Sequence, residues 1–299
     1  MSGHLRKVLK TFWACLSHLT WRVEVANCIS LVTLVPRDLG QLPTRLQAAG
    51  WVHPLRVRGA VPHDVRTVAI VGSRAATAAA MDHAHRLGQY FAEHGVHVVS
   101  GGALGVDGAA HRGALAGGGT TTVVLGSGVN VLYPLRHAAL FDRVLAAGGG
   151  LVSMLPDEMP PRAATFPQRN PLIAALADLV IVVAAEARSG SLSTANAARK
   201  IGRRVAAWPG SAGCDRLLAS GAGLIESEHD AALALAGTPR MREHMPLDPI
   251  EARVCEAIAR GHFGIDSIVA HTGLSVRAVL RALPAISDVS PAEVVARKQ

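Results

Sequence analysis

The sequence predicts an α/β domain with a mainly parallel sheet, preceded by a small helical region and followed by a helix-turn-helix module. Short, continuous apolar runs recur through the middle of the chain and alternate with helical segments. This alternation is typical of parallel strands joined by helical crossovers. Each run is too short for a helix and too uniformly apolar for a half-exposed strand, so we expect strands buried on both faces. Loops rich in glycine and serine follow several runs. Such loops indicate a ligand outside the carboxyl ends of the strands.

Residues 1–66 are predicted to be a small helical region. Apolar residues near the start recur at helical spacing, which indicates an amphipathic helix rather than a signal peptide or membrane span; they are Val8, Leu9, Phe12, Trp13, Leu16 and Leu19. Four prolines between Pro36 and Pro62 divide the rest into short pieces. We assign no chemistry to this region.

Residues 67–237 form the predicted α/β domain. Its strands are expected at Val68–Val71, Val96–Val99, Thr121–Leu125, Leu151–Ser153, Leu179–Val183 and Val205–Ala207. Its helices are expected at Ala78–His94, Asp107–Ala116, Leu135–Ala147, Asn170–Ala177 and Leu192–Ile201. We expect right-handed crossovers between the parallel strands.

The stretch TVAIVGSRAAT, Thr67–Thr77, combines a buried strand, a tight turn and a helix start. Gly72 allows the sharp turn, and Ser73 can cap the helix. This geometry directs free backbone N–H groups at an anion. Arg74 adds a permanent positive charge with a planar set of donors. The stretch therefore predicts a phosphate site.

Four small-residue loops are expected to meet at the same edge of the sheet. Together with Arg169 and Asn170 they predict a cup that accepts phosphates through backbone N–H groups, hydroxyls and guanidinium groups. The predicted phosphate-binding residues are Gly72, Ser73, Arg74, Ser100, Gly101, Gly102, Gly126, Arg169, Asn170, Ser189, Gly190 and Ser191.

The usual nucleotide motifs are missing from these loops. The first turn lacks the dinucleotide pattern G-x-G-x-x-G, Val131 stands where a third glycine would complete it after Gly126, and no G-x-x-x-x-G-K-[ST] motif occurs. NAD and ATP are thus disfavoured, and we predict no cofactor and no metal site. Asp107 and His111 share a helix face; they are either an acid–base pair or a helix-start carboxylate with a structural histidine, and we favour the second interpretation.

The last part of the chain, residues 245–299, is predicted to be a helix-turn-helix module. Helices are expected at Ile250–Arg260, Ile265–His271 and Ser275–Leu283, with a turn at Gly273. Arg277 and Arg281 share one face of the last helix, where they could contact DNA. A trihelical module that docks protein remains an equal alternative.

Composition favours a globular chain with a polyanionic partner. The 299 residues are 49% hydrophobic, and the formal net charge is +8, which favours association with nucleic acid. A basic surface kept for solubility is the alternative. The four cysteines are far apart and form no CxxC pair, so neither disulfides nor a zinc site are indicated. A cytoplasmic protein that does not contact membranes fits these features.

Five blocks in order identify a resemblance. They are VAIVGSR (Val68–Arg74), VVSGGALGVDGAAHRGAL (Val98–Leu115), VVLGSGVNVLYP (Val123–Pro134), TFPQRNPLIAAL (Thr165–Leu176) and SGSLSTANAARKIGRRVAAWPG (Ser189–Gly210). The chain resembles the DprA/Smf DNA-processing family, bacterial single-strand DNA-binding proteins of natural transformation (competence) and recombination. The resemblance implies an extended Rossmann-like domain, a homodimer that passes the strand to the RecA recombinase, and a winged-helix-like C-terminal module in some members.

The same resemblance implies a basic pocket for the phosphodiester backbone. By motif position, Gly72, Ser73 and Arg74 match its VGSR turn, Arg169 and Asn170 its FPxRN segment, and Ser189–Ser191 its SGS loop. Two arginines of the family pattern are replaced here by Leu104 and Pro171. The aromatic content is only 4%, and Tyr133, Phe166 and Trp208, which lie near the loops, are interpreted as packing residues.

A non-enzymatic single-strand DNA-binding protein is the function we predict. The alternative is an enzyme, since nucleoside-monophosphate N-glycosidases share the Rossmann-like superfamily. Those enzymes resemble the chain in their glycine-rich loops but need a glutamate in a PGGxGTxxE stretch. The corresponding loop, Ser189–Asn196, contains no acid. A helix-turn-helix regulator with a ligand-sensing α/β domain is a third possibility.

Overall fold

The computed structural model describes residues 37–38, 42–61, 64–242 and 249–286. Its strands are β1 (Arg37–Asp38), β2 (Arg56–Gly59), β3 (Thr67–Val71), β4 (His97–Ser100), β5 (Thr121–Val124), β6 (Gly150–Ser153), β7 (Leu179–Val182), β8 (Arg204–Ala207) and β9 (Gly223–Leu224). Within these ranges they form one sheet in the order β1-β2-β6-β5-β4-β3-β7-β8-β9. The pairings from β6 to β9 are parallel, whereas β2 pairs antiparallel with both β1 and β6.

The helices cover both faces of this sheet. They are α1 (Thr44–Ala48), α2 (Ala78–Glu93), α3 (Val106–Ala116), α4 (Ala138–Ala146), α5 (Thr165–Gln168), α6 (Asn170–Ala175), α7 (Gly190–Lys200), α8 (Ala212–Ala219) and α9 (Glu228–Ala236). Strand β3 illustrates the arrangement, because Val68 and Ile70 belong to the core cluster that contains residues of α2, α3 and α9, whereas Ala69 and Val71 belong to the cluster that contains residues of α6, α7 and α8. A strand with helices on both faces needs apolar side chains at every position. The predicted α/β fold with a mainly parallel sheet is confirmed.

The six predicted strands are confirmed to within one residue at each end. Strands β3, β4, β5 and β6 follow one another toward one edge of the sheet, and β7 then crosses back to pair with β3 on its other side. The strand order therefore reverses between β3 and β7. In open α/β sheets this reversal leaves a crevice at the carboxyl ends of the two strands, where ligands bind.

The boundary predicted at residue 66 is corrected by β2, which extends the sheet before Thr67. Val57 and Gly59 are buried while Arg56 and Arg58 are half-buried, so β2 alternates as an outer strand does. Arg56 also pairs with Asp157 at 2.5 Å and Asp38 at 2.7 Å. Of the predicted helical region, the structure describes the short α1 and these strands; the predicted amphipathic helix from Val8 to Leu19 lies outside the described residues.

The C-terminal module contains α10 (Pro249–Ala259), α11 (Ile265–Thr272) and α12 (Val276–Ile286), as predicted. A small core joins the three helices, formed by Val254, Cys255, Ala257, Ile268, Val279 and Ala282. Gly273 ends α11 with a φ of +67°, and the Ser275 hydroxyl accepts the N–H of Ala278 at 3.2 Å. Any wing strands would fall outside the described residues. None of the helices in the described ranges has the length and apolar character needed to cross a bilayer.

Candidate functional site

A cleft of about 530 Å³ opens at the carboxyl ends of β3 and β7. This is the point where the strand order reverses, so the ligand position expected for such a sheet coincides with a real cavity. Eight of the predicted site residues line it: Gly72, Ser73, Arg74, Arg169, Asn170, Ser189, Gly190 and Ser191. Residues Tyr133, Arg162 and Phe166 also line it.

The turn after β3 is held tightly against its neighbours. A side chain at Gly72 would place its Cβ 2.7 Å from Val106 Cγ2 and 2.9 Å from the Ala184 carbonyl oxygen, so glycine is required. The Ser73 N–H donates to the Ala184 carbonyl at 2.8 Å, and the Ser73 carbonyl accepts the Val106 N–H at 3.2 Å. The Ser73 N–H is thus already paired and is not a free anion donor, contrary to the sequence prediction for this turn.

Arg74 projects from this turn into the cleft. Its side chain is exposed, and its guanidinium carbon lies 5.1 Å from the centre of the Phe166 ring. A guanidinium stacked on a ring keeps its N–H edges available for an oxyanion. Among the described residues no carboxylate forms an ion pair with Arg74. The cleft therefore holds a fixed and uncompensated positive charge.

Arg169, also predicted to bind phosphate, is buried beneath the loops. It is 5% exposed, and its Nη1 donates to the carbonyl of Gly101 at 2.5 Å and to that of Val124. Its Nη2 lies 4.0 Å from the Asp107 carboxylate. Burial lowers the pKa of Arg169 to about 10. The guanidinium thus ties the loops after β4 and β5 together, a positioning role that the sequence did not suggest.

Asp107 completes this buried pair. Burial raises the pKa of its carboxyl group, while Arg169 and the N–H of Ala103, 3.4 Å away, oppose that shift. His111 forms its hydrogen bond through Nδ1 with Thr121 Oγ1 at 2.8 Å, and burial lowers its pKa to about 3. These contacts agree with the structural interpretation of the two residues, because His111 bonds the buried Thr121 and Asp107 pairs with the buried Arg169.

Four of the predicted residues lie behind the cleft wall rather than on it. The Ser100 hydroxyl donates to the Ile70 carbonyl at 2.6 Å. A side chain at Gly101 would collide with the Arg169 guanidinium, one at Gly102 with Val123, and one at Gly126 with Phe166. The three glycines thus leave room for the side chains of Arg169, Val123 and Phe166, and none of the four residues lines the cleft.

The opposite wall is the start of α7. The Ser189 hydroxyl accepts the Ser191 N–H at 3.3 Å and so caps the helix. The Asn170 side-chain amide donates to the Gly190 carbonyl at 3.1 Å and to the Ser193 hydroxyl at 2.5 Å. Asn170 thus fixes the position of the backbone at the start of α7. The positive end of the α7 dipole faces the cleft.

Arg162 lies just before the TFPQRN block, and no motif in the sequence distinguished it as a site residue. Arg162 is exposed and lines the cleft. Tyr133 and Phe166, interpreted from sequence as packing residues, also face the cleft, and Tyr133 is 44% exposed. Trp208 instead stacks on His83 at 4.0 Å between ring centres. The described lining contains three arginines against one carboxylate.

A family model described as DNA recombination-mediator protein A matches residues 40–236. The chain belongs to this family. The match begins before β2 and therefore includes this strand as well as the parallel part of the sheet. It agrees with the resemblance inferred from the five sequence blocks.

Individual relatives extend the same similarity. A Mycobacterium tuberculosis relative named as a DprA DNA processing protein is 39% identical over 288 residues, 91% of this chain and 72% of the relative. Among solved structures, DNA processing protein A from Streptococcus pneumoniae has a TM-score of 0.59 at 31% identity, covering 70% of this chain and 75% of that one. The protein from Helicobacter pylori, solved in work on its single-stranded DNA binding mode, has a TM-score of 0.63 at 27% identity, covering 69% and 98%.

Proposed function

We propose that this chain binds single-stranded DNA during DNA processing and recombination, holding the phosphate backbone in the cleft between β3 and β7. The observation that carries the proposal is the cleft itself, with Arg74 and Arg162 exposed to it. The structure of the H. pylori relative concerns single-stranded DNA binding, which supports single-stranded rather than double-stranded DNA as the ligand.

The proposed contacts divide between binding and positioning groups. Arg74, Arg162 and the start of α7 act on phosphate oxygens, because they combine positive charge with donors that face the cleft. Arg169 and Asp107 act indirectly, by holding the loops that carry them. Since guanidinium groups and backbone N–H groups read phosphates rather than base edges, sequence preference is weak.

The wider role follows from the family. We propose a cytoplasmic homodimer that acts in natural transformation and assists RecA loading onto the bound strand. The four cysteines are far apart in the sequence and form no CxxC pair, which supports a reducing compartment. Light scattering of the purified chain tests the dimer, and RecA filament assembly on coated single strands tests the loading role.

We further propose that residues 245–299 form a helix-turn-helix module separate from the sheet domain. Arg277 and Arg281 border a groove of about 310 Å³ beside Ile250 and Ser275, which supports either DNA or protein docking. Limited proteolysis followed by mass spectrometry tests the boundary at residues 237–245.

The proposal is for a non-enzymatic protein. Asp107 is the single carboxylate among the described residues that line the cleft, and it is 5% exposed and paired with Arg169. An acid so engaged is poorly placed to attack or protonate a ligand. Release of free base from a nucleoside monophosphate would favour the N-glycosidase alternative.

The experiment is a titration of fluorescent single- and double-stranded oligonucleotides at several salt concentrations. We expect tighter binding of the single strand, with a log–log salt slope that grows by about 0.7 for each phosphate neutralised. Arg74→Ala removes a charged hydrogen-bond donor worth about 1.5–3 kcal/mol, so affinity should fall about 10- to 150-fold. Arg143→Ala, an exposed arginine on α4 outside the cleft, is the matched control. Equal affinity for both forms of DNA, or equal loss in both variants, refutes the proposal.

A further inference from the structure

The C-terminal helices expose a large share of the chain's bulky apolar side chains. Within the described part of the chain twelve such side chains are exposed, and five of them lie in residues 249–286: Ile250, Phe263, Ile265, Val276 and Leu280. The three helices pack around a separate core of their own. Exposed apolar side chains scattered singly are normal on a protein surface, whereas a concentration of them marks a site of interaction.

The outer face of α12 carries two stripes of different chemistry. Val276 and Leu280 are four residues apart and so share one face of the helix, and each is 49% exposed. Arg277 and Arg281 form a second stripe about 100° further around the helix, and both are exposed. Val279 points the other way, into the core of the module. The face of α12 that meets solvent is therefore half apolar and half basic.

Arg277 and Arg281 carry charges that are not engaged within residues 249–286. Arg253 donates to a backbone carbonyl at the end of α11, and Arg260 pairs with Glu256 at 2.8 Å. Neither Arg277 nor Arg281 forms an ion pair or a hydrogen bond in the described part of the chain. Both line the groove of about 310 Å³ between α10 and α12. Their guanidinium groups are thus available to an anionic partner.

DNA and a second copy of the chain both fit this face poorly. Residues 249–286 contain four arginines against three carboxylates, whereas modules that bind DNA carry a strong excess of positive charge. A recognition helix presents its outer face to phosphates and base edges, which are mostly polar, and these would leave Val276 and Leu280 without a matching surface. A symmetric contact of α12 with itself would bring the arginines of both copies into one interface.

We propose that the outer face of α12 docks an amphipathic helix of a partner protein, with apolar residues on Val276 and Leu280 and acidic residues at Arg277 and Arg281. Charge complementarity sets the acidic sign, because unpaired guanidinium groups attract carboxylates and repel cations. The four-residue spacing of each stripe suits a helix that packs through residues three and four apart. This surface is separate from the cleft, and the inference does not depend on single-stranded DNA binding.

The test uses two synthetic peptides of about 18 residues, or about five helical turns. Both carry leucines at helical spacing (i, i+3, i+4, i+7). The remaining positions are alanine and glutamate in one peptide and alanine and lysine in the other. Each labelled peptide is titrated with the full-length chain by fluorescence anisotropy. We expect the glutamate peptide to bind, and the lysine peptide to bind at least about 10-fold more weakly.

Variants locate the bound peptide on α12. Leu280→Ala and Val276→Ala should each weaken binding of the glutamate peptide about 5- to 30-fold. Replacing Arg277 and Arg281 together by alanine should weaken it and reduce its salt dependence. Val52→Ala, at an apolar residue of the sheet domain that is 82% exposed, is the matched control and should bind as wild type does. Circular dichroism verifies that each variant is folded.

Several results would overturn the proposal. They are failure of the glutamate peptide to bind, equal binding of the two peptides, and equal effects of Leu280→Ala and Val52→Ala. A shift in the sedimentation coefficient of Leu280→Ala would assign the face to a second copy instead, and loss of duplex DNA affinity in the double arginine variant would assign it to DNA. None of these measurements titrates a single strand, so the proposed function of the cleft is tested independently.

Discussion

Replacing Arg169 with alanine is expected to destabilise the sheet domain rather than only weaken ligand binding. The substitution removes the donor to the carbonyls of Gly101 and Val124 and leaves the Asp107 carboxylate buried without its partner. Breaking a buried pair in this way costs about 3–5 kcal/mol. The two lost hydrogen bonds are included in that figure, because they belong to the same buried charge.

Urea unfolding followed by far-ultraviolet circular dichroism measures the effect. With a slope of about 2–3 kcal/mol per molar urea, the unfolding midpoint of Arg169→Ala should fall by about 1 to 2.5 M. Arg74→Ala is the comparison, because an exposed arginine changes stability by no more than about 0.5 kcal/mol. Its midpoint should stay at the wild-type value while its affinity for single-stranded DNA falls about 10- to 150-fold.

A double variant strengthens the test. Arg169→Met with Asp107→Asn removes both charges and should recover part of the lost stability, since replacing a buried ion pair by neutral groups of similar volume is often nearly neutral. An Arg169→Ala protein that unfolds at the wild-type midpoint but fails to bind DNA would refute the positioning role. It would instead support direct phosphate binding by Arg169, the interpretation first drawn from the sequence.

Three further predictions concern stability. Burial lowers the pKa of His97 and of His111 to about 3; because the unfolded chain takes up these protons near pH 6.5, stability should fall as the pH drops from 6.5 toward 3, by about 1.4 kcal/mol per pH unit for each histidine. Constant urea midpoints from pH 7.5 to 5.0 would contradict this. Gly72→Ala forces a Cβ to 2.7 Å from Val106 and should cost about 1–3 kcal/mol in urea unfolding, whereas Gly190→Ala, with open space around its Cβ, should not. Ser227→Ala removes the hydroxyl that accepts the N–H of Asp230 at 3.2 Å and should cost about 1 kcal/mol by calorimetry, and an unchanged melting temperature would contradict the capping role.

The central strands could be predicted because their environment is uniform. A strand such as β7, Leu179–Val182, is buried at all four positions, so its residues are all apolar and the run is visible without knowledge of its neighbours. β2 could not be predicted in the same way. Its Arg-Val-Arg-Gly sequence alternates over four residues only, and its place in the sheet depends on β6, which lies about ninety residues further along the chain.

The cleft could be predicted in position but not in the roles of its residues. Loops that follow parallel strands meet at one edge whatever their sequence, so the position of Arg74 followed from topology. The role of Arg169 depends on carbonyl groups 68 and 45 residues away in the chain. Whether an arginine faces solvent or fills a gap between loops is decided by such distant contacts, and local sequence does not record them. The environment of Tyr133 likewise depends on the position of α5, which carries its ring partner Phe166.

Leu104 and Pro171 stand at the two positions where the family pattern has arginine, and this limits how many phosphates the cleft can neutralise. Leu104 is 36% exposed before α3, and Pro171 is exposed in the first turn of α6, so neither position offers charge. The exposed cations of the cleft are then Arg74 and Arg162 among the described lining residues, and two phosphates neutralised would give a salt slope of only about 1.4. Titration of a single strand at several salt concentrations should therefore give a slope of about 1.4 in magnitude, and Arg74→Ala should reduce that magnitude by about 0.7.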